Sequence, residues 1–325
     1  MTALIKSYKT NQLFFILIKL SIVIASFAFI YFKIAGLEKI TYTDFFNIIS
    51  SKNILSIQNI LVLLVLTCLN WSLETLKWQS LVHPIKKIDF KAALAQSLGS
   101  LTASLFTPNR IGEYGAKALY FQPNLRKSIL LINFLSNLLQ LSITICLGGV
   151  GLSYLWLNFN QLALDYNNLL VYALFIIVIL ITLFVILNNS KYTIAGLSIP
   201  KLKQRISSYP KRLLTKGLLY SFCRYLIFSF QFYFSLQLFQ VNINYFDAMS
   251  VIMSMYLIVS VLPSIFIFDV VIKGSVSVYL FSFLDVNELS VLCITTLMWL
   301  LNFVFPSLIG SYFVLSFKPV KSAAL

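Results

Sequence analysis

The sequence predicts an all-α polytopic membrane protein, and three observations predict it. Of 325 residues, 59% are hydrophobic and 11% are charged, with a mean hydropathy of +0.88. A soluble domain has about a quarter of its residues charged, so lipid must solvate most of this surface. The apolar residues come in continuous runs of about 20, the length that an α-helix needs to cross the hydrocarbon core. These runs also lack the period-two alternation of a transmembrane barrel, and a lone strand leaves its backbone unsatisfied in lipid.

Six segments are predicted to span: 13–32, 57–82, 128–157, 168–187, 213–239 and 289–316. The first carries no small-residue cleavage motif after it and reads as a retained span, not a leader. Two further regions, 92–121 and 248–284, do not fit a single crossing. Each has an apolar arm of about 15 residues, then a proline (Pro108 or Pro263), then an arm that holds a carboxylate and a lysine. Fifteen helical residues rise only ~22 Å, and proline stops a helix at or before the residue preceding it. Each region therefore predicts a re-entrant helical hairpin. In the first, Thr107–Pro108 predicts an N-cap with proline at the first helical position.

Loop charges set the expected topology. The formal net charge is +15, from 25 Lys+Arg against 10 Asp+Glu. In a chain this apolar, the excess reads as cytoplasmic loops facing anionic lipid, not as a nucleic-acid surface. Lys86, Lys87 and Lys91 precede the first hairpin, and Arg126 with Lys127 follows it. Segment 188–216 is basic throughout, whereas Asp165, Asp247, Asp285 and Glu288 fall in the loops of the other side. Alternation then places both termini in the cytoplasm, in a bacterial inner membrane. The order span, span, hairpin, span occurs twice. It predicts a single domain over 1–325, built from pseudo-repeats at about 13–157 and 168–316, the second inverted.

Ionisable residues inside spans are costly and mark sites. "LFTPNRIGEYGAKALYF" holds Pro108, Asn109, Arg110, Gly112, Glu113 and Lys117. The second hairpin repeats the pattern with Asp269 and Lys273. In both, carboxylate and lysine are four residues apart and share a helical face. Gly112 and Gly115 remove bulk where a helix or ligand approaches. In "NWSLETLKW", Trp71, Glu74 and Trp78 lie on one face; an interfacial tryptophan belt and a lined site both explain this. "SFCRYLIFSFQF" places Arg224 in the corresponding span of the other half, so a Glu74–Arg224 ion pair is expected. Arg110, Lys117 and Lys273 are expected to meet in a polar mid-membrane cavity that takes a phosphate group, with Glu113 and Asp269 holding the cations. Cys68, Cys146, Cys223 and Cys293 sit in apolar segments without paired spacing and read as small buried hydrophobes. His83 reads as structural. No cofactor and no metal is expected.

These stretches, with "LNWSLETLKWQSLV" and "LPSIFIFDVVIKGSVS", resemble the lysylphosphatidylglycerol synthase transmembrane-region family, a bacterial flippase-like membrane domain. The resemblance covers nearly the whole chain. It implies two inverted repeats with re-entrant helices, and in some members the movement of lipids between leaflets, aminoacylated phosphatidylglycerol in particular. By motif, Pro108, Arg110, Gly112, Glu113 and Lys117 match the first element, Arg224 the second repeat, and Asp269, Lys273 and Gly274 its hairpin. The family more often has Glu, Gly and Arg where this chain has Asp269, Val271 and Lys273. The sequence ends nine residues after its last predicted span; with no soluble aminoacyl-transferase domain, synthesis of the lipid is not expected. The expectation is a transporter for an anionic lipid: a phospholipid, an aminoacyl-phospholipid or a polyprenyl-phosphate-linked glycolipid. An intramembrane transferase with Glu113 or Asp269 as general base is the rival class. A scaffold for a separate lipid- or glycan-modifying enzyme, such as a glycosyltransferase, is a third.

Overall fold

The computed structural model describes residues 56–105, 107, 111–159, 208–261 and 269–318, the backbone only at 269–272. It also describes Leu20, Ser21 and Ile24, and the backbone of four strand residues near 195. The helices, in chain order, are α1 (Ile57–Val82), α2 (Phe90–Ser104), α3 (Gly112–Leu119), α4 (Arg126–Asn158), α5 (Lys211–Leu238), α6 (Tyr245–Val261), α7 (Asp269–Ser282) and α8 (Glu288–Trp299). A π-helical turn, Leu300–Val304, joins α8 to α9 (Phe305–Ser316). In the predicted basic loop, β1 (Thr193–Ile194) pairs antiparallel with β2 (Leu197–Ser198). The predicted spans 13–32 and 168–187 lie outside the described residues, as do both termini.

Among the described residues, three helical stretches are long and apolar enough to cross a membrane: α1, α4 and the continuous run from Glu288 to Ser316. Their bounds match the predicted spans within two residues. Helix α5 has 28 residues, about 42 Å, but carries Arg224 and Gln231 in its interior. α1 shows how such helices sort their faces. Leu61, Val62, Val65 and Leu69 are exposed, whereas Thr67, Asn70, Glu74 and Lys77 are buried. The polar stripe points into the protein and the apolar stripe outward, because an unpaired polar group costs most in lipid.

Both irregular regions turn back on themselves. Asp89 caps α2 by accepting from the Ala92 N–H at 2.9 Å, and α2 ends at Ser104. α3 returns beside it, so that Tyr120 donates to the carbonyl of Ala95, 25 residues earlier, at 3.3 Å. Likewise α7 lies along α6, with Ser277 Oγ 2.9 Å from Met255 Sδ. One expectation needs correction. The return helix of the first hairpin starts at Gly112, not at Pro108. Thr107 still acts as a cap, but across five residues: its hydroxyl donates to the Ser104 carbonyl at 2.7 Å and accepts from the Gly112 N–H at 2.9 Å. One side chain thus ties off both helix ends, which lets the turn between them run longer.

The hairpins are exchanged. α2 packs against α9, and α6 packs against α4, while α1 and α5 pair along their length. The first arm of each hairpin therefore rests on the final span of the other half of the chain, while the return arms α3 and α7 pack on α4 and α8 of their own half. Glycines permit the close approach. A Cβ on Gly151 would lie 2.7 Å from the Ser250 carbonyl of α6. On Gly310 it would collide with Thr102 Oγ1 and the Leu98 carbonyl of α2. Thr102 also donates to the Ser307 carbonyl at 2.9 Å.

The cysteines depart from expectation. Cys293 is buried, but Cys68 and Cys146 are exposed and Cys223 is intermediate. A thiol is apolar enough for the outer face of a spanning helix, so its segment did not fix its burial.

Gly310→Ala is expected to destabilise the protein by about 1–3 kcal/mol through overpacking. Gly149→Ala is expected to be neutral or slightly stabilising, since nothing lies within 4 Å of a Cβ there. Thermal unfolding of the two variants in one detergent checks the contrast.

Candidate functional site

The site is a polar network where α1, α5 and the π-helical turn meet. Asn70 lies midway along α1, Ile57–Val82, and Arg224 midway along α5, Lys211–Leu238. Asn302 lies midway along the run from Glu288 to Ser316. All three are therefore far from the ends of long helices.

Glu74 is 7% exposed and is held by two cations on one oxygen. Lys77 Nζ and Arg224 Nη1 each lie 2.7 Å from Oε2. Arg224 also donates through Nε to Asn70 Oδ1 at 2.9 Å and through Nη1 to Gln140 Oε1 at 3.5 Å. The Asn70 amide donates to Asn302 Oδ1, and the Asn302 amide donates to Gln231 Oε1, both at 2.9 Å. Gln231 closes the set with a 2.9 Å bond to Thr67 Oγ1. The local sequence makes Asn302 the hub. Proline at 306 removes the N–H that an α-helix would offer to the carbonyl four residues earlier, which is that of Asn302. Trp71 Nε1 donates to this carbonyl at 3.2 Å. A π-turn placed among buried amides is a common mark of a functional segment.

Lys117 forms a separate cluster. Its ammonium binds Glu113 Oε1 at 2.7 Å and Asn133 Oδ1 at 2.9 Å, and lies 4.5 Å from the centre of the Trp78 ring. Trp78 in turn donates to Gln96 Oε1 at 2.7 Å. Trp78 is four residues from the end of α1, and Asn133 is seven from the start of α4. The cluster therefore lies about 6–10 Å inside the helix ends that carry the basic loops.

A cavity of about 290 Å³ opens beside the first network. Arg224, Asn70, Gln140 and Lys273 line its polar part, and Trp71, Tyr256, Trp299 and other apolar side chains line the rest. Lys273 lies 5.0 Å over the ring of Phe303. A charged end with an aromatic wall suits an amphipathic molecule.

The expected ion pair between Glu74 and Arg224 is present. The expected convergence of Lys117 with Lys273 is not: Lys117 is 1% exposed, fully engaged in its own cluster and absent from the cavity wall. Its short helix folds back toward the basic loops, and Trp78 and Asn133 seal it there. Pro108, Asn109, Arg110 and the Asp269 side chain lie outside the described residues. Gly112 is packed against Thr107, while nothing lies within 4 Å of a Cβ on Gly115. The tryptophan-belt reading is overturned, because Trp71 and Trp78 are 8% and 0% exposed and each donates to a protein acceptor. Asn70, Lys77, Asn133, Gln140 and Asn302 carry the two clusters, yet motif and charge spacing assign none of them a role. The available signal was the amide itself: a carboxamide inside an apolar span must find a partner.

The sequence model of the family described as lysylphosphatidylglycerol synthase TM region matches residues 16–310. No curated protein and no solved structure matches the chain.

Glu74→Ala and Arg224→Ala are expected to be non-additive, with a coupling of about 0.5–3 kcal/mol in a double-mutant cycle. Asn302→Ala is expected to cost about 2–4 kcal/mol, since it strands buried amides on Asn70 and Gln231 at about 1–3 kcal/mol per group. Unfolding of the purified variants in a single detergent measures both.

Proposed function

The chain belongs to the lysylphosphatidylglycerol synthase TM region family, and on that premise we propose that it binds an anionic membrane lipid by its headgroup and moves it between leaflets. Family membership and the spanning helices make it a helical membrane protein with a lipid-related role. The observation that carries the finer reading is the cavity at mid-helix height, lined by Arg224 together with tryptophan and tyrosine rings. A headgroup needs charge and hydrogen bonds in a low-dielectric place, and its tails need an apolar path beside them. The lining supplies both. Arg224 and Lys273 neutralise phosphate, and Glu74, shared between Lys77 and Arg224, holds the guanidinium in place.

The exchanged packing of the hairpins supports the inverted-repeat plan in this proposal, since each half offers its last span to the other. In that plan the repeats rock about the α1–α5 seam and open the cavity to alternate sides. Glu113 and Lys117 anchor the first hairpin toward the cytoplasmic face. Arg110 and Asp269, singled out by the sequence pattern, complete the headgroup path in this proposal. In the same proposal that face and both termini are cytoplasmic, in a bacterial inner membrane, a reading that the basic loops support.

The test is leaflet exchange in vesicles. Full-length protein is reconstituted with head-labelled fluorescent phosphatidylglycerol, and dithionite reports the accessible pool. Exchange well above that of protein-free vesicles is expected, falling at least about tenfold in Arg224→Gln, the loss of one charge-assisted contact of about 1.5–3 kcal/mol. A covalently altered lipid would support the transferase class instead. Neither exchange nor product from a well-folded protein would favour an accessory scaffold.

A further inference from the structure

We infer that the cavity selects its lipid by charge: it accepts a headgroup whose only charge is a phosphodiester, and it disfavours one that adds a primary ammonium. The inference rests on the lipid-binding reading above and narrows it to a substrate class. Phosphatidylglycerol has the accepted charge. Its lysyl ester carries two ammonium groups and a net charge of +1, so it lies in the disfavoured class.

Among the described residues, the charges that face the cavity have one sign. Among the described residues that line it, the charged ones are Arg224 and Lys273. The nearby carboxylate, Glu74, does not line it and is buried behind its two cations. Glu74, Lys77 and Arg224 together carry one net positive charge. Asp269 lies one helical turn before Lys273 on α7. If its carboxylate offsets Lys273, the set still keeps a net positive charge through Arg224. An ammonium brought into this space meets cations, and an anion meets attraction.

Two donors of cavity-lining residues have no protein partner among the described residues. Nε and Nη1 of Arg224 are used within the protein, while Nη2 has no hydrogen-bond partner among the described residues. Tyr225 lines the same cavity, is 4% exposed, and has a hydroxyl without a hydrogen-bond partner among the described residues. Ser229 lies close enough to act on that hydroxyl, but not in hydrogen-bond geometry. A buried donor left unmade is expensive, and a rotation of the Tyr225 side chain toward the cavity would let a phosphodiester oxygen satisfy it. The two cations on Glu74 divide their roles. The Lys77 side chain is 1% exposed and that of Arg224 is 24% exposed. Arg224 can turn to a phosphate while Lys77 keeps the buried carboxylate paired, so the exchange leaves no lone charge.

Binding of two short-chain lipids to the full-length protein in neutral detergent tests this. Dioctanoyl-phosphatidylglycerol is expected to bind at least about tenfold more tightly than its lysyl ester at moderate salt. Arg224→Gln is expected to remove most of that difference, and Tyr225→Phe to weaken phosphatidylglycerol severalfold without reversing the order. Equal or tighter binding of the lysyl ester to the unsubstituted protein overturns the inference, and so does an undiminished preference in a folded Arg224→Gln. If the lysyl ester alone binds and exchanges between leaflets, charge selection is wrong while the lipid-transport reading survives. If neither lipid binds or exchanges, both fall. The comparison on the unsubstituted protein decides the matter even where a variant does not fold.

Discussion

The fold is organised around one constraint: a carboxylate in the middle of a membrane-spanning bundle must be neutralised by groups from other helices. Glu74 meets it with Lys77 from its own helix and Arg224 from α5, both at 2.7 Å. Removing one partner of a buried pair typically costs about 3–5 kcal/mol, because the charge left behind has no water. In lipid, where apolar surfaces gain little by meeting each other, such polar contacts and close packing select one helix arrangement over others. The Asn70–Asn302–Gln231 chain extends the same logic to uncharged groups and fixes the last span against the α1–α5 pair.

Hydrogen bonding also explains why the final span is irregular. A continuous α-helix from 288 to 316 would leave the Asn302 carbonyl without a donor once Pro306 is present. The π-turn and the Trp71 indole accommodate that gap, and Asn302 becomes a residue whose backbone and side chain both face α1. The wall of the cavity is built from the same residues, so the headgroup space and the joint between the helices are one object.

Much of this was legible in the sequence. Long apolar runs gave α1, α4 and the last span nearly to the residue, because length and hydropathy alone decide what can cross lipid. Proline with short arms gave both hairpins, and an acid in one second span with a base in the other gave the Glu74–Arg224 pair. The depth of Lys117 was not legible. Its spacing from Glu113 fixes a pair, but only the direction of α3 decides whether that pair ends near the middle or near the basic loops. The amide network was also obscure, since Asn and Gln in a span look unremarkable until the helix opposite is known. The start of α3 was misplaced for a local reason: Thr107 reaches across the turn to Gly112, and no spacing rule for caps anticipates a five-residue reach.

The exchange of hairpins between halves bears on how the protein is made. The groove that receives α2 is formed by α9, which begins only at Phe305, whereas the hairpin itself is complete at Leu119. Ribosome and insertase therefore release the first hairpin long before its seat exists. Thr102 must wait for the Ser307 carbonyl of α9, whereas Gln96 and Lys117 find Trp78 and Asn133 within the first half. The outer face of α2 is therefore covered only when the last span has been made.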